Sequence, residues 1–562
     1  MDVEAFKTWA TTHVPQALVL ISGTAGLLAH QFFKRVEPDS FSFAGFTLAW
    51  TMAVAYAART YLSATGLSIA GYVLASLFVL NTTLATSIVI YRLSPWHPLA
   101  KYPGPALAKV SKLYMWREAR RGMTGYTQAA LHKEYNSDIV RVGPNWISIR
   151  SVDAIPVVYG GSKSTGRTPW IKNDWYEGSV RGATRISMHQ EVNIERHAQR
   201  RKLWDYGFSG KALADYKPEI VTFSELLVRN VSRAAEKKQP IDMALQSHCF
   251  SFDVMGVLGF GAPFDMLETS KKHFFVETLE KFMQVLIPLQ ELAWLRQLIR
   301  RVVPLPKQLK IFEEQNTERF ERRLAQGSSR RDIFTYLLGE DNPDVVKLSR
   351  TELIADTGLI VVAGSDTTSS LLTWFWYYNV AHPAEYAKLR AELDQLSPDE
   401  LQDTAVLSKL PYLNAAINET MRMQPAVPGG LRRLVPEEGV VLDGKYYLPP
   451  GTAVSVPGYA IQHDPRWWGS DCDTYRPERW LNKEEKNNRN AYLPFSYGSR
   501  ACPGKHLALL EARIAIAALA TKFVFSFPPG FRKDVYERGV RDHFTIQSMP
   551  LPLIPAPRLV PV

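Results

Sequence analysis

The stretch Phe495-Ser496-Tyr497-Gly498-Ser499-Arg500-Ala501-Cys502-Pro503-Gly504 decides how this chain is read. Its pattern, Phe-x-x-Gly-x-Arg-x-Cys-x-Gly, suits a cysteine sulfur that must reach a metal ion from a tight, glycine-punctuated loop. Gly498 and Gly504 open backbone conformations closed to other residues and let the main chain approach a flat macrocycle closely. Arg500 offers a forked cation to an acidic substituent. A buried structural cysteine in an ordinary turn is the competing reading, but five fixed positions within ten residues seldom coincide by chance.

Working toward the N-terminus, four further groups stand out. Tyr475-Arg476-Pro477-Glu478-Arg479-Trp480 precedes the loop, and Glu419-Thr420-Met421-Arg422 places an acid and a base one helical turn apart. Such i,i+3 pairs are commonplace on solvated helix faces, so the second motif carries little alone. Ala363-Gly364-Ser365-Asp366-Thr367-Thr368 lies within an apolar helix expected over Leu353–Trp376. A glycine and hydroxyls there lower helix propensity and can free a backbone carbonyl, opening a groove. A polar helix face or a kink would look the same. His197-Ala198-Gln199-Arg200-Arg201-Lys202-Leu203-Trp204 reads as a basic helix, which a solvated face also explains.

The first sixth differs in kind. Thr8–Phe33, Ser40–Ala58 and Thr60–Tyr91 contain no Asp, Glu, Lys or Arg, and each is long enough to span a bilayer core of about 20 residues as a helix. Asp2 and Glu4 stand where a signal peptide would carry basic residues. Lys34 and Arg35 after the first stretch, and Arg92, Lys101 and Lys109 after the third, favour a lumenal N-terminus and a cytosolic remainder. Residues 1–94 therefore read as an anchor with up to three spans, 95–105 as a proline-rich elbow, and 106–562 as the catalytic body. Beyond the elbow, helical spacing dominates Pro218–Glu236, Lys271–Arg301 and Arg350–Ala381, with Pro288 expected to divide the second and Pro383 to close the third. Strand text appears at Ile139–Ile149 and as a hairpin at Val440–Tyr447, and the proline-rich tail after Met549 reads as an extended end. The fold class is mainly α with small β-sheets.

Three cysteines in 562 residues exclude a disulfide framework and suit a reducing compartment. The formal charge of +11 comes without a run of five like charges or a basic-aromatic stripe, so nucleic acid is not the expected partner. Anionic lipid and acidic proteins fit it better. There is no His-Glu-x-x-His, paired Cys-x-x-Cys, Gly-x-Ser-x-Gly or Walker-type loop, and no dinucleotide fingerprint, so electrons would have to come from a separate protein.

From about Leu99 onward, some four-fifths of its length, the chain resembles the cytochrome P-450 family, specifically the membrane-bound fungal type. The resemblance implies that haem b is the cofactor, with Cys502 as axial ligand of its iron in a loop bounded by Phe495, Gly498 and Gly504. Arg500, Arg201, His197 and Arg433 would meet the propionates. The family commonly has tryptophan where His197 stands, and Arg432 leaves Arg433 ambiguous by one position. Asp366 and Thr367 would pass protons to oxygen held in the helix groove. Glu419, Arg422 and Arg479 would form a buried ionic triad holding the cysteine loop. NADPH would supply electrons through a membrane-bound reductase docked on Arg196, Arg200 and Lys202. The substrate pocket would draw on 165–190, 250–289, 353–363, 424–431 and 540–547. The implied activity is oxygen insertion into a hydrophobic small molecule of secondary metabolism, a terpenoid, fatty chain or xenobiotic, at the endoplasmic reticulum membrane. A reductase-independent haem-thiolate isomerase or dehydratase, and a non-catalytic haem-binding membrane protein, are the alternatives.

Overall fold

The computed structural model describes residues 3–34, 40–62, 64–161, 168–177, 186–302, 304, 307–327, 331–339, 346–482 and 486–558. Asp2 and Arg35, used above for orientation, and 165–167 and 178–185 of the expected pocket wall lie outside them.

Three helices open the chain, Val3–Phe33, Ser40–Leu62 and Gly66–Leu93. Within them Pro15–Phe33, Phe41–Tyr61 and Gly66–Leu93 are long and apolar enough to cross a membrane. The second runs past the expected stop at Ala58 and includes Arg59, whose long side chain can carry its charge toward an interface from a helix end. The helices meet through small groups. Ser22 and Ser76 hydroxyls are 2.7 Å apart, Trp50 Nε1 donates to Ser76 at 2.9 Å, and a Cβ at Gly26 would stand 2.7 Å from the Leu80 carbonyl. Where lipid removes the hydrophobic drive, close packing and interhelical hydrogen bonds hold helices together.

Turns between Ser94 and Tyr102 lead into the body and are bonded to it. The buried Arg141 guanidinium donates to the Arg92 carbonyl at 3.0 Å and the Pro144 carbonyl at 2.8 Å, and lies 3.1 Å from His97 Nε2. The short helix Ala293–Val302 packs against the second apolar helix.

The body is assembled around the helix Arg350–Ala381, here the long helix. Ser349 and Glu352 cap it reciprocally, satisfying two otherwise free N–H groups. Every residue from Thr368 to Asn379 is buried, as expected of a helix surrounded on all sides. The helices Met243–Phe260, Pro411–Met423 and Lys505–Ala520 pack on it. Its approach to Met243–Phe260 is close, since a Cβ at Gly364 would lie 2.7 Å from Met255 Sδ. The helix stops at Ala381, two residues before Pro383, whose ring disfavours helical conformation in the residue ahead of it.

One expectation is corrected. Pro288 does not divide its helix, which runs Phe274–Glu291 and breaks at Leu292. The proline falls in the last turn, where little helix remains to be interrupted. The tail is extended as expected, and it is also paired: Pro552–Pro557 is the middle strand between Ile241–Asp242 and Phe523–Ser526. Prolines argue against such a strand, but Leu551 and Leu553 are fully buried and hold it in place.

A four-stranded sheet joins Ile139–Gly143, Trp146–Ile149, Ala453–Ser455 and Arg433–Leu434 in that spatial order, with Trp146 opposite Ala453 in the parallel pair. The hairpin Val440–Leu442 to Tyr446–Leu448 turns at Asp443 and Gly444, both with positive φ.

Candidate active site

Cys502 follows a single 3-10 turn, Gly498–Arg500, and precedes the helix Lys505–Ala520. Its N–H donates to the Phe495 carbonyl at 2.9 Å, which closes the loop. Gly498 has φ 76°, and a Cβ there would stand 2.0 Å from the Tyr159 carbonyl, so neither conformation nor space admits another residue. Gly504 departs from the sequence reading, with an ordinary φ of −79°. Its contribution is a donor: the Gly504 and Lys505 N–H groups both hydrogen-bond the sulfur at a helix start, where backbone donors have no helical partner. Cys502 retains accessible surface yet sits deep. Burial pushes its thiol up, while the two N–H groups and the charges of Arg201 and Lys505 pull it down.

Around this loop the structure gathers positive charge. Arg500 donates to the Glu191 and Val192 carbonyls at 2.8 and 3.2 Å. Arg201, on the helix Ile194–Gly207, reaches Asp205 at 2.7 Å and the Ala501 carbonyl at 2.5 Å, tying that helix to the cysteine loop. Burial, then Arg500, Lys172, Arg201 and Arg433, push the His197 imidazole down to about 2, so it is neutral. Burial and Arg433 hold Arg500 at about 10. Lys172, 5% exposed, is pushed down to about 6 by burial and by Arg500 and Arg433. Lys172 was absent from the sequence reading. Its one legible sign is a lone cation between Trp170-Ile171 and Trp175-Tyr176.

Three arginines, Arg201, Arg433 and Arg500, thus converge with Lys172, whose charge burial and those arginines suppress, where Glu191 and the exposed Asp205 supply the carboxylates. Buried like charges of this kind are costly unless anions join them. The site therefore fits a group that brings negative charge.

Strand geometry separates the two adjacent arginines, because successive side chains point to opposite faces. Arg433 is buried beside the Tyr159 ring on the cationic side. Arg432 turns the other way, pairing with Glu291 and lying 3.5 Å over the Trp146 ring. That side opens into a small cleft of about 40 Å³ lined by Trp146, Trp175, Ile287, Val427 and Phe544, with the Asp542 carboxyl among them. It draws on four of the five segments expected to wall a pocket, all but 353–363.

The reading of Arg196, Arg200 and Lys202 as one exposed basic face is corrected. Arg200 is fully buried and donates to Asp356 at 2.6 Å, and Trp204 Nε1 donates to the same carboxylate at 3.2 Å. Arg196 is paired with Glu352 at 2.6 Å. Lys202 alone of the three is exposed and outside these pairs. On a helix packed along one side, positions four apart share a face, so 196 and 200 turn inward together.

Glu419 lies between two arginines. Arg422 grips it through two bonds of 2.8 Å, and Arg479 Nε donates at 2.9 Å. Trp480 Nε1 and the Arg476 N–H also donate to it, both at 2.9 Å. Arg422 further donates to the Gln462 and Cys472 carbonyls, so the cluster stitches the helix Pro411–Met423 to the segment leading toward the cysteine loop.

On the long helix, Ala363 is exposed and Asp366 and Thr367 half-buried, although the helix is otherwise enclosed. Thr367 Oγ1 donates to the Ala363 carbonyl at 2.7 Å. The Asp366 carboxylate lies 3.5 Å from His248 Nε2.

A sequence model described as Cytochrome P450 matches residues 145–550. Cytochrome P450 monooxygenase FCK2 of Fusarium pseudograminearum is 34% identical over 94% of this chain and 96% of its own. Cytochrome P450 67 of Uromyces fabae is 32% identical, again over 94% and 96%. Tryprostatin B 6-hydroxylase of Aspergillus fumigatus is 32% identical over 84% of this chain and 83% of its own.

Proposed function

Since the chain belongs to the cytochrome P450 family, a family of haem-binding oxidoreductases, and its relatives are named monooxygenases, we propose that it inserts one oxygen atom from O2 into a hydrophobic small molecule. NADPH supplies the electrons through a membrane-bound reductase. The observation that carries this reading is the environment of Cys502, an accessible sulfur at a helix start that the Gly504 and Lys505 N–H groups draw down, beside a cluster rich in buried cations. Haem carries acidic propionates that suit such a cluster: Cys502 would hold its iron, and Arg201, Arg433, Arg500, Lys172 and neutral His197 would hold the propionates. Bound there, it supplies oxygen activation, which a thiolate ligand favours by pushing electron density onto iron.

The chain's own residues do the rest. The Gly504 and Lys505 N–H groups moderate the charge on the Cys502 sulfur. Asp366 and Thr367 hold and pass the protons that oxygen chemistry consumes, from an accessible break in an enclosed helix. General acid delivery of this kind is worth about 100- to 10,000-fold in rate. Thr367→Ala is accordingly expected to leave haem content and substrate-induced spectral change near wild type while product per NADPH falls and hydrogen peroxide rises. Unchanged coupling would reduce Thr367 to a packing residue, and product formation without reductase would favour isomerase or dehydratase chemistry.

Residues 1–94 serve as the anchor, 95–105 as the elbow and 106–562 as the catalytic domain, which faces the cytosol from the endoplasmic reticulum membrane. Three candidate spans, followed by the cations Arg92, Lys101 and Lys109, support this orientation. Deleting residues 1–94 is expected to give a soluble or peripherally attached protein that still binds haem. Arg141 loses the Arg92 acceptor but keeps Pro144, a cost of about 1 kcal/mol. Loss of haem on truncation would show that anchor and body fold as one unit. For reductase docking, exposed Lys202 and Lys505 beside the cysteine loop offer an acidic partner a basic edge. The proposed substrate is a terpenoid, fatty or polycyclic molecule, and the A. fumigatus relative is itself named as a hydroxylase.

A further inference from the structure

His248 stands between two carboxylates. It lies on the helix Met243–Phe260, with Nε2 3.5 Å from Asp366 Oδ1 on the long helix and 3.6 Å from Glu280 Oε1 on the helix Phe274–Glu291. Lys272 Nζ sits 2.7 Å from the same Glu280 oxygen. Exposure falls inward from Lys272 at 34% through Glu280 at 26% to His248 at 10%, and Asp366 beyond it is 18% exposed. Both His248 distances exceed a formed N–H···O bond of about 2.9–3.0 Å, yet a small tilt of the ring closes either one. One nitrogen cannot serve both acids together, so it alternates between them. The ring is fixed on its other side, with the edge of Phe252 against it at 4.5 Å and Nδ1 buried without a hydrogen-bond partner. A static structural histidine would be expected to satisfy that nitrogen.

Resting on the reading of Asp366 as the residue that passes protons toward oxygen, we infer that His248 and Glu280 form the relay that recharges it from solvent. Glu280 takes a proton from water at its exposed edge. It hands that proton to His248 Nε2, which becomes imidazolium because Nδ1 keeps its own hydrogen. The ring tilts and Nε2 delivers the proton to Asp366 Oδ1, leaving His248 neutral and Glu280 ionised for the next cycle. One proton crosses and no bond between heavy atoms changes. The charged groups facing His248, among the described residues, are Asp366 and Glu280, with Lys272 behind the latter. Asp253 on its own helix is turned away, accepting the N–H groups of Phe264, Met266 and Leu267. Lys272 pairs with Glu280 at 2.7 Å, and a histidine is the side chain best suited to both accept and release a proton near neutrality.

The test uses the full-length protein reconstituted with reductase and NADPH, and it compares His248→Gln, Glu280→Gln, Asp366→Asn and His248→Gln/Asp366→Asn. With the relay, His248→Gln and Glu280→Gln each lower product per NADPH by roughly 10- to 100-fold and raise peroxide, below the full range of general acid catalysis because water can partly bypass them. The pH profile of coupling changes form in His248→Gln, since glutamine cannot titrate, and the solvent deuterium isotope effect on product formation rises. Substrate-induced spectral change and carbon monoxide difference spectra stay near wild type, which a packing defect would not spare. The double variant is no worse than Asp366→Asn alone. Wild-type coupling in His248→Gln together with uncoupling in Asp366→Asn overturns the relay and leaves the reading of Asp366 standing. Wild-type coupling in Asp366→Asn overturns that reading and the relay with it. Should His248→Gln fail to accumulate folded, Glu280→Gln at the surface end decides the question by the same measurements.

Discussion

Cys502→Ser is expected to abolish the strongly red-shifted carbon monoxide band of the reduced protein and to remove product formation. Serine can keep the loop, because the Cys502 N–H to Phe495 carbonyl bond and the Gly498 conformation do not involve the sulfur. What it loses is the thiolate. An alcohol oxygen gives iron far less charge, so the electronic push behind the band shift and behind O–O cleavage disappears together. The measurement is a reduced-minus-carbon-monoxide spectrum on protein of matched haem content. A Cys502→Ser protein that kept the red-shifted band would sink the assignment of Cys502 as ligand.

Glu419→Gln is expected to have the next largest effect, on folding and haem retention rather than on chemistry. The substitution leaves Arg422 buried without its counter-charge and Arg479 with only Asp471 at 3.3 Å, and a buried pair broken on one side costs about 3–5 kcal/mol. That is a large share of the roughly 5–15 kcal/mol that holds a typical domain folded. Lower yield, a thermal midpoint many degrees down and poor haem content should follow. The control is replacement of Glu419, Arg422 and Arg479 together by apolar residues, which removes the stranded charges and should recover part of the loss. An undisturbed Glu419→Gln protein would mean that the cluster does not support the cysteine loop. The same pair predicts acid sensitivity. Burial alone would raise the Glu419 carboxyl, but the Arg422 bonds and the charges of Arg422 and Arg479 outweigh it and hold it low. Its contribution is therefore present above the ordinary glutamate range and is lost as pH falls below it.

The sequence by itself determined the family, the helical fold class and the apolar N-terminal segments. Each is written locally. A ligand loop needs fixed residues within a few positions, as at 495–504, and a spanning helix needs an uninterrupted apolar run, as at 66–93. The tertiary structure decided what depends on which face a side chain takes and on which distant elements meet. Strand alternation sends Arg433 to the cationic side and Arg432 to Glu291, a choice two adjacent identical residues cannot reveal. Helix packing buries Arg200 on Asp356 when the basic text around it reads as surface. Leu551 and Leu553 make a central strand of a proline-rich tail because burial outweighs local propensity. Lys172 and His248 join the site beside Arg500 and Asp366, residues far from each of them along the chain. No local pattern encodes such a meeting, since the free energy that creates it comes from burying many apolar residues elsewhere.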